Sequence, residues 1–374
     1  MTALSAVPEV SLPPLDELLW RATETDVPVG SERSLLREAV ATTGSTLTVW
    51  VLLENDIATA SAALERLGAM VGIVDARWLG GARIYLAADR SERYAFLVLP
   101  DAQPGVLTLV SSVTPTDDRW KRLRRWLARG AHGLSPVYLN EDDFLAIGDA
   151  LATHGTVAAS RLTARDLSDG SSYTRGWPEQ RRRPRPSHRE ALAEASNMAV
   201  RTLTLHIGNQ LLVQLRREAG ATFYSGDYQL FESVVMDGLE DAAARRRSLL
   251  ADRERRLDEP APRPLVVRTR AATFGEPEAV TDLLDSLERQ ESTSVAVFHR
   301  NPYLHVAVTD YADGSNFDLF VNRSDEVVVI PGYRASVTSL ARLTDTVGER
   351  FAAVAVDEVT SLPAPTLEDL FGEG

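Results

Sequence analysis

The histidines offer the first place to look for chemistry in this sequence. They are His132, His154, His188, His206, His299 and His305, and no two of them have the i, i+4 spacing of a helical metal site. His299 and His305 flank the turn dipeptide Asn301–Pro302, so a hairpin there would place them opposite each other. Without a carboxylate pattern beside them, such a pair on a sheet favours a structural role over a metal site.

Other catalytic signatures are missing from the sequence. The chain has no cysteine, which excludes disulfides, thiol nucleophiles and cysteine-ligated metals. Lys121 is the only lysine and lies in a predicted helix, and no phosphate-loop, dinucleotide or GxSxG motif occurs. The acidic stretch "DYADGSNFD", with Asp310, Asp313 and Asp318, lacks the spacing of a calcium loop, and a β-turn explains it. The sequence therefore predicts no catalytic residue, no metal and no cofactor.

The stretch "SSYTRGWPEQRRRPRPSHRE" carries the strongest binding signal. Residues 160–189 hold eight arginines and three acids, a net charge of +5 in a chain of net charge −13. Three interpretations stay open: an arm that grips an acidic protein, an arm that grips nucleic-acid phosphates, or a solvated loop docked on its own acidic neighbours. The candidate binding residues are Tyr173, Arg175, Trp177, Arg181, Arg182, Arg183 and Arg185.

The acidic tail "TSLPAPTLEDLFGEG" is a second candidate binding segment. Its apolar residues Leu367, Leu370 and Phe371 would suit the groove of a partner. A tail helix folded onto its own domain is the alternative.

The order of predicted elements divides the chain into three similar parts. In the first, "TLTVWVLL" is a strand, "NDIATASAALERLG" a helix, four strands follow, and "TDDRWKRLRRWLARG" is a second helix. The last third repeats this order from "RPLVVRTRA" to "SVTSLARLTDTVGERF". The middle third fits it when "SHREALAEASN" is a helix with a capping box of Ser187 and Glu190, and "YQLFESVVM" is a strand. The predicted fold class is α+β, with three tandem β-α-β4-α units and antiparallel sheets.

This order resembles the TATA-box-binding-protein fold, over residues 46–350 and without signature residues. The resemblance implies a curved antiparallel sheet with helices on one face, and relatives of that fold include DNA-bending proteins and protein-binding scaffolds. A third unit departs from that family. So do the acidic residues 264–350, which hold eight arginines and thirteen acids.

The predicted domains are an N-terminal helical cap (1–44), a first unit (45–150), a second unit (151–262) with an Arg/Trp insertion at 164–186, a third unit (263–357) and an acidic tail (358–374). No apolar run is long enough to span a membrane and no signal peptide is evident, so we expect a cytoplasmic protein without a membrane partner. The first functional hypothesis is a non-enzymatic adaptor or scaffold that binds proteins through its sheets, arm and tail. The alternatives are a nucleic-acid-binding protein and an enzyme subunit with an unrecognised site, and the oligomeric state stays open.

Overall fold

The computed structural model describes residues 12–54, 73–89, 92–99, 103–118, 120–121, 134–167, 170–179, 184–196, 198–218, 220–270, 272–290, 293–300, 303–351 and 353–358. The chain divides into two compact units, Met1–Arg247 and Ser248–Gly374. Each unit is built on one antiparallel sheet with helices, so the predicted α+β class is confirmed.

The first unit contains most of the secondary structure. Its strands are β1 (Leu47–Glu54), β2 (Ile73–Leu79), β3 (Ala82–Asp89), β4 (Glu92–Leu99), β5 (Val106–Ser111), β6 (Leu134–Pro136), β7 (Val157–Asp166), β8 (Ser172–Gly176), β9 (Met198–Ile207), β10 (Leu211–Arg216) and β11 (Gly220–Gly226). Its helices are α1 (Pro14–Ala22), α2 (Glu32–Thr43), α3 (Glu141–Ala152), α4 (His188–Glu194), α5 (Tyr228–Leu230), a π-helical segment (Phe231–Met236) and α6 (Asp237–Ala251), which runs across the unit boundary.

Strand β1 joins the two halves of the large sheet. Its sequence is β-branched and apolar, and the residues from Leu47 to Leu53 are buried. It pairs with β5 along one edge and with β11 and β6 along the other, so the strand order is β2-β3-β4-β5-β1-β11-β10-β9-β7-β8 with β6 added to β1. A strand that is buried and paired on both edges holds the meander β2–β5 and the strands β7–β11 in one sheet.

Two buried carboxylates hold the N-terminal helices against the rest of the first unit. The buried carboxylate of Asp16 accepts hydrogen bonds from the amide of Ala95 at 2.9 Å and the hydroxyl of Ser112 at 3.0 Å. Arg33 of α2 donates to both carboxylate oxygens of the buried Glu240 at 2.6 and 2.7 Å. Burial would lower the pKa of Arg33, but the hydrogen bonds and negative charges of Glu240 and Asp237 together outweigh burial and raise it.

The predicted strand "YQLFESVVM" is wrong, because this stretch is helical. The carboxylate of Asp227 accepts hydrogen bonds from the amides of Gln229 and Leu230 and so caps a helix start. Phe231, Val235 and Met236 are then buried at helical spacing, which a strand with alternating faces could not achieve. The middle third therefore has no fourth strand after β9, β10 and β11.

The second unit has a smaller sheet. Its elements are β12 (Leu265–Arg268), α7 (Pro277–Glu288), β13 (Thr293–His299), β14 (Leu304–Asp310), β15 (Ser315–Arg323), β16 (Glu326–Pro331), α8 (Val337–Phe351) and β17 (Ala355–Glu358). The strand order is β13-β14-β15-β16-β12-β17. The element order predicted for this part of the sequence is confirmed, with β17 as an additional strand.

Three tandem units in the TATA-box-binding-protein arrangement are not confirmed. The meander β13–β16 with β12 beside its last strand has the same order as β2–β5 with β1 beside its last strand. In the middle third, β7 pairs instead with β8 and β9. The helix predicted at "NDIATASAALERLG" and most of the one at "TDDRWKRLRRWLARG" lie outside the described residues.

A buried hydrogen-bond network holds the start of α8 against the β14–β15 turn. The hydroxyl of Ser339 lies 2.9 Å from Asp310 and 2.8 Å from Asp313, and Ser336 also donates to Asp313. Arg342 pairs with Asp310. Burial would raise the pKa of Asp313, but the hydrogen bonds from Ser336, Ser315 and Ser339 together outweigh burial and lower it.

Replacement of Arg33 tests the ion pair that fastens α2. We expect Arg33→Met to lower the free energy of unfolding of the first unit by about 3 kcal/mol, because Glu240 is left buried without its charged partner. The matched control is Arg21→Met, which removes an exposed helical pair with Glu17 and should cost under about 0.5 kcal/mol. Urea denaturation followed by tryptophan fluorescence measures both. Equal effects for the two variants would show that the buried pair does not fasten the helix.

The Asp313 network predicts a pH dependence for the second unit. A lowered pKa in the folded state means that the stabilisation is present above the ordinary carboxyl value of about 4, and is lost as the pH falls through the folded-state pKa. Asp313→Asn should therefore cost about 1–2 kcal/mol at neutral pH and flatten the loss of stability in acid. Urea midpoints between about pH 3 and pH 7 test this. A variant with an unchanged acid slope would contradict the assignment.

Candidate functional site

The Arg/Trp insertion begins as a β-hairpin. Strand β7 runs into the predicted insertion as far as Asp166, and β8 pairs back along it with Tyr173 opposite Ala164. The turn uses Gly170 at φ +73, where the amide of Asp166 donates to the carbonyl of Ser171 at 2.9 Å. This part of the insertion is therefore a regular strand pair, because β7 supplies a sheet edge for β8 to pair with.

The described residues of the arm make contacts with their own unit. Arg175 lies 3.2 Å from Glu194, and the hydroxyl of Tyr173 lies 3.4 Å from the same carboxylate. The amide of Trp177 donates to the carbonyl of Ser160 at 2.8 Å, and the guanidinium of Arg185 donates to the carbonyl of Trp177 at 3.1 Å. These contacts match the third interpretation of the sequence, in which the arm docks on its own acidic neighbours.

The other candidate residues are not brought into a site. Arg181, Arg182 and Arg183 lie outside the described residues, and so do Leu367, Leu370 and Phe371 of the tail. Their roles stay predictions.

The second unit presents an exposed face on β13, β14 and β15 that we call the open face. Cross-strand register places two rows of three residues on it, Ser294, Thr309 and Asn316, and Ala296, Ala307 and Asp318. His305 and Phe320 are register partners in a third row, and the ring of Phe298, at the register shift of β13, lies against His305. The alternate residues of β14 and β15 are buried on the opposite face, where Val306, Val308 and Leu319 belong to the core. One face of this sheet is therefore packed and the other is accessible.

Three rings stack at one end of the open face. The ring of His305 lies between Phe320, at a centroid distance of 4.2 Å and 14° between planes, and Phe298, at 5.1 Å. Phe298 is 66% exposed. Nε2 of His305 lies 2.8 Å from Oδ1 of Asp318, so a ring protonated on Nε2 donates to this carboxylate. The hydrogen bond fixes the imidazole between the two phenyl rings and leaves an exposed aromatic surface beside a carboxylate.

The predicted pairing of the two histidines across the hairpin is confirmed, but their rings do not form one site. His299 and His305 are register partners. The ring of His299 lies against Tyr303 at 4.6 Å, whereas His305 contacts Phe298 and Phe320. The sequence did not reveal Phe298 and Phe320 as surface residues, because apolar residues in an alternating strand are normally assigned to the core.

A cleft of about 420 Å³ lies in the first unit. Arg37, Val40, Phe223 and Tyr228 line part of it. The guanidinium of Arg37 is already paired, because it donates a hydrogen bond to the buried Glu232 at 2.7 Å. Burial raises the pKa of Tyr228 far above its ordinary value, which keeps the phenol neutral. Arg37, whose charge is paired, and Tyr228, whose phenol is neutral, therefore do not form an acid–base pair in this cleft.

His188 has a structural contact in the first unit. Its buried ring lies 2.8 Å from Asp149, which Arg189 also binds. The hydrogen bond from His188, with that from Arg189, holds the pKa of Asp149 below its ordinary value. A Cβ on Gly148 would lie 2.4 Å from the imidazole, so glycine makes room for this contact between α3 and α4. The predicted capping box of Ser187 and Glu190 at the start of α4 is confirmed.

The described part of the chain holds neither a cluster of metal ligands nor a membrane-spanning helix. In that part, no group of three or more histidine, aspartate or glutamate side chains is arranged to hold a metal ion. None of the helices described combines the length and the apolar character that crossing a membrane would require.

Comparisons with known proteins supply no function. No protein-family model and no curated protein matches the chain. The crystal structure of bacteriophytochrome RpBphP3 from the photosynthetic bacterium R. palustris is 10% identical, over 76% of this chain and 82% of that chain, with a TM-score of 0.15. A likeness at this level carries no argument about fold or function.

The contacts of the arm predict how its residues affect stability. Arg175→Ala should change the free energy of unfolding by less than about 0.5 kcal/mol, because its ion pair with Glu194 is exposed. Leu162→Ala in β7, a fully buried site on the same hairpin, should cost about 3 kcal/mol. Thermal and urea denaturation measure both. A large loss for Arg175→Ala would show that the arginine fastens the hairpin.

Proposed function

We propose that the protein is a non-enzymatic cytoplasmic adaptor that binds another protein through the open face of its second unit. The observation that supports this most directly is the stack of Phe298, His305 and Phe320, in which Phe298 is exposed and the other two rings are half-buried. Exposed aromatic rings grouped on one face are typical of protein-binding surfaces, since aromatic side chains contribute much of the binding energy at interfaces.

The charges near this stack favour a protein partner over nucleic acid. Asp318 lies in the open face, and residues 264–350 hold thirteen acids against eight arginines. Phosphates would be repelled by this unit. Of the arm residues, Arg175 and Arg185 already lie next to Glu194 and Glu179, so the described part of the arm does not favour the nucleic-acid alternative.

We also infer that the first and last β-meanders are copies of one unit. Two features support a duplication. The strand order β2-β3-β4-β5-β1 matches β13-β14-β15-β16-β12, and a short final strand, β6 or β17, pairs with the first strand in each. In this proposal the middle third is a divergent or separate insertion, and the open sheet of the last unit is the surface specialised for binding.

Replacement of Phe298 tests the proposed docking face. Phe298→Ala should leave the melting temperature nearly unchanged, because the ring is mostly exposed. It should weaken binding of the native partner by at least about 30-fold, the effect of a hot-spot residue worth about 2 kcal/mol. The measurement is quantitative capture from the native host with tagged protein, with the captured protein identified by mass spectrometry.

The control is Tyr311→Ala, which removes a ring that is 69% exposed but lies in the β14–β15 turn outside the open face. This variant should capture as much of the native partner as the unchanged protein does. If both variants capture the same partner equally well, the open face is not the docking surface.

A further inference from the structure

Strand β13 is an edge strand that carries neither a charged residue nor a proline. Among the described residues it pairs only with β14, so the backbone amides and carbonyls of its other edge are unpaired in the sheet. Its sequence TSVAVFH has no charged residue and no proline, and none of its side chains is fully buried. Natural sheets normally protect such an edge with charges, proline or a bulge, because an open edge accepts another strand.

The strands at the other ends of the two sheets differ from β13. At the opposite end of the same sheet, β17 carries Asp357 and Glu358, and Asp357 pairs with Arg268 at 3.2 Å. In the first unit, the end strand β2 carries Asp75 and Arg77, 3.2 Å apart, and has a register shift.

The fourth end strand, β8, is only five residues long and carries Arg175, which pairs with Glu194. The bulge of β13 lies between Val297 and His299 at its hairpin end, so Thr293 to Val297 keep regular register. Of the four end strands, only β13 is longer than five residues, carries no charged side chain and keeps regular register over five consecutive residues.

The two faces of β13 indicate how an added strand would pack. Val295 and Val297 are partly exposed and lie opposite Val308 and Val306, which belong to the core. A strand added to β13 would cover these two valines on one side. On the other side its residues would lie beside Ser294, Ala296 and Phe298 at the border of the open face.

The charges around this edge favour a basic segment over a second copy of the chain. Helix α7, which packs beside β13, carries four carboxylates and no basic residue between Pro277 and Glu288. Two of them, Glu278 and Glu288, are exposed and have no ion-pair partner among the described residues. Pairing β13 with its own copy would bring two such acidic helices together, whereas a basic segment would be attracted.

Arginine suits the open face as well. A guanidinium can stack on an exposed phenyl ring while it pairs with a carboxylate. On the open face, Phe298 supplies the ring and Asp318 supplies the carboxylate. An extended segment places every second side chain on one face, which would direct alternate arginines to these groups.

We propose that β13 is a strand-addition site, at which an extended, arginine-bearing segment of a partner protein pairs with the edge and contacts the open face. This inference rests on the proposed adaptor function and names the chemistry of its partner. Main-chain hydrogen bonds would supply affinity, and the acidic surroundings would select the charge of the segment.

Synthetic peptides test this proposal on the full-length protein. The probe is a short capped peptide that alternates valine and arginine. One matched peptide has glutamate in place of arginine, and another has proline in place of the central valine. Fluorescence polarisation should show the arginine peptide binding at least about tenfold more tightly than either, because the first control reverses the charge and the second removes strand pairing. When it is bound, the amides of β13 should exchange at least about tenfold more slowly.

Variants of the edge complete the test. Ala296→Lys should weaken binding of the arginine peptide by at least about tenfold, since it puts a like charge at the centre of the edge. Tyr311→Lys adds the same charge off the edge and should change binding by less than about twofold. If Ala296→Lys does not fold, as judged by circular dichroism, Ser294→Lys replaces it.

Several outcomes would overturn the inference. They are absence of binding, equal binding of all three peptides, and binding without slower exchange in β13. A concentration-dependent dimer that Ala296→Lys abolishes would assign the edge to a second copy. If capture of the native partner depends on Phe298 but the amides of β13 are not protected, strand addition is wrong and the adaptor function still holds. If the amides of β13 are protected but capture does not depend on Phe298, the proposed function is wrong and strand addition still holds.

Discussion

Backbone pairing is the constraint on which the rest of the structure depends. Strand β1 is buried along its length and pairs on both of its edges, which joins the meander β2–β5 to the strands β7–β11. A buried strand cannot leave its amides and carbonyls unpaired, so the position of β1 determines that of β11 and β5. Asp16 of α1 then accepts a hydrogen bond from a main-chain amide of this sheet, and Arg33 of α2 pairs with Glu240 of α6.

The same constraint bears on the proposed binding surface. A sheet satisfies its backbone everywhere except at its edges, and β2, β8 and β17 carry charges that discourage further pairing. Strand β13 lacks this protection and borders an aromatic face fixed by the hydrogen bond between His305 and Asp318. The edge and the face together support the proposal of a binding surface on the second unit.

Local patterns predicted much of the fold. Alternating burial made β14 and β15 recognisable, and the capping box of Ser187 and Glu190 marked the start of α4. The error at Tyr228–Met236 arose because its apolar residues also fit a strand, and only the cap from Asp227 and packing against distant residues decide for a helix. The open face could not be predicted, because which side of a sheet the helices cover is a tertiary property. The arm was found by composition, but its pairing with β7 depends on a sheet edge that composition does not reveal.

The most direct test of this account is photocrosslinking at three sheet edges in the native host. A photoreactive phenylalanine analogue is placed at Ala296 in β13, at Trp78 in β2 or at Arg175 in β8, each in a separate full-length variant. All three positions are exposed, so accessibility does not bias the comparison. The account predicts a discrete crosslinked product with another protein from position 296 and none from positions 78 and 175. Adducts from position 78 or 175 with none from position 296 would contradict it.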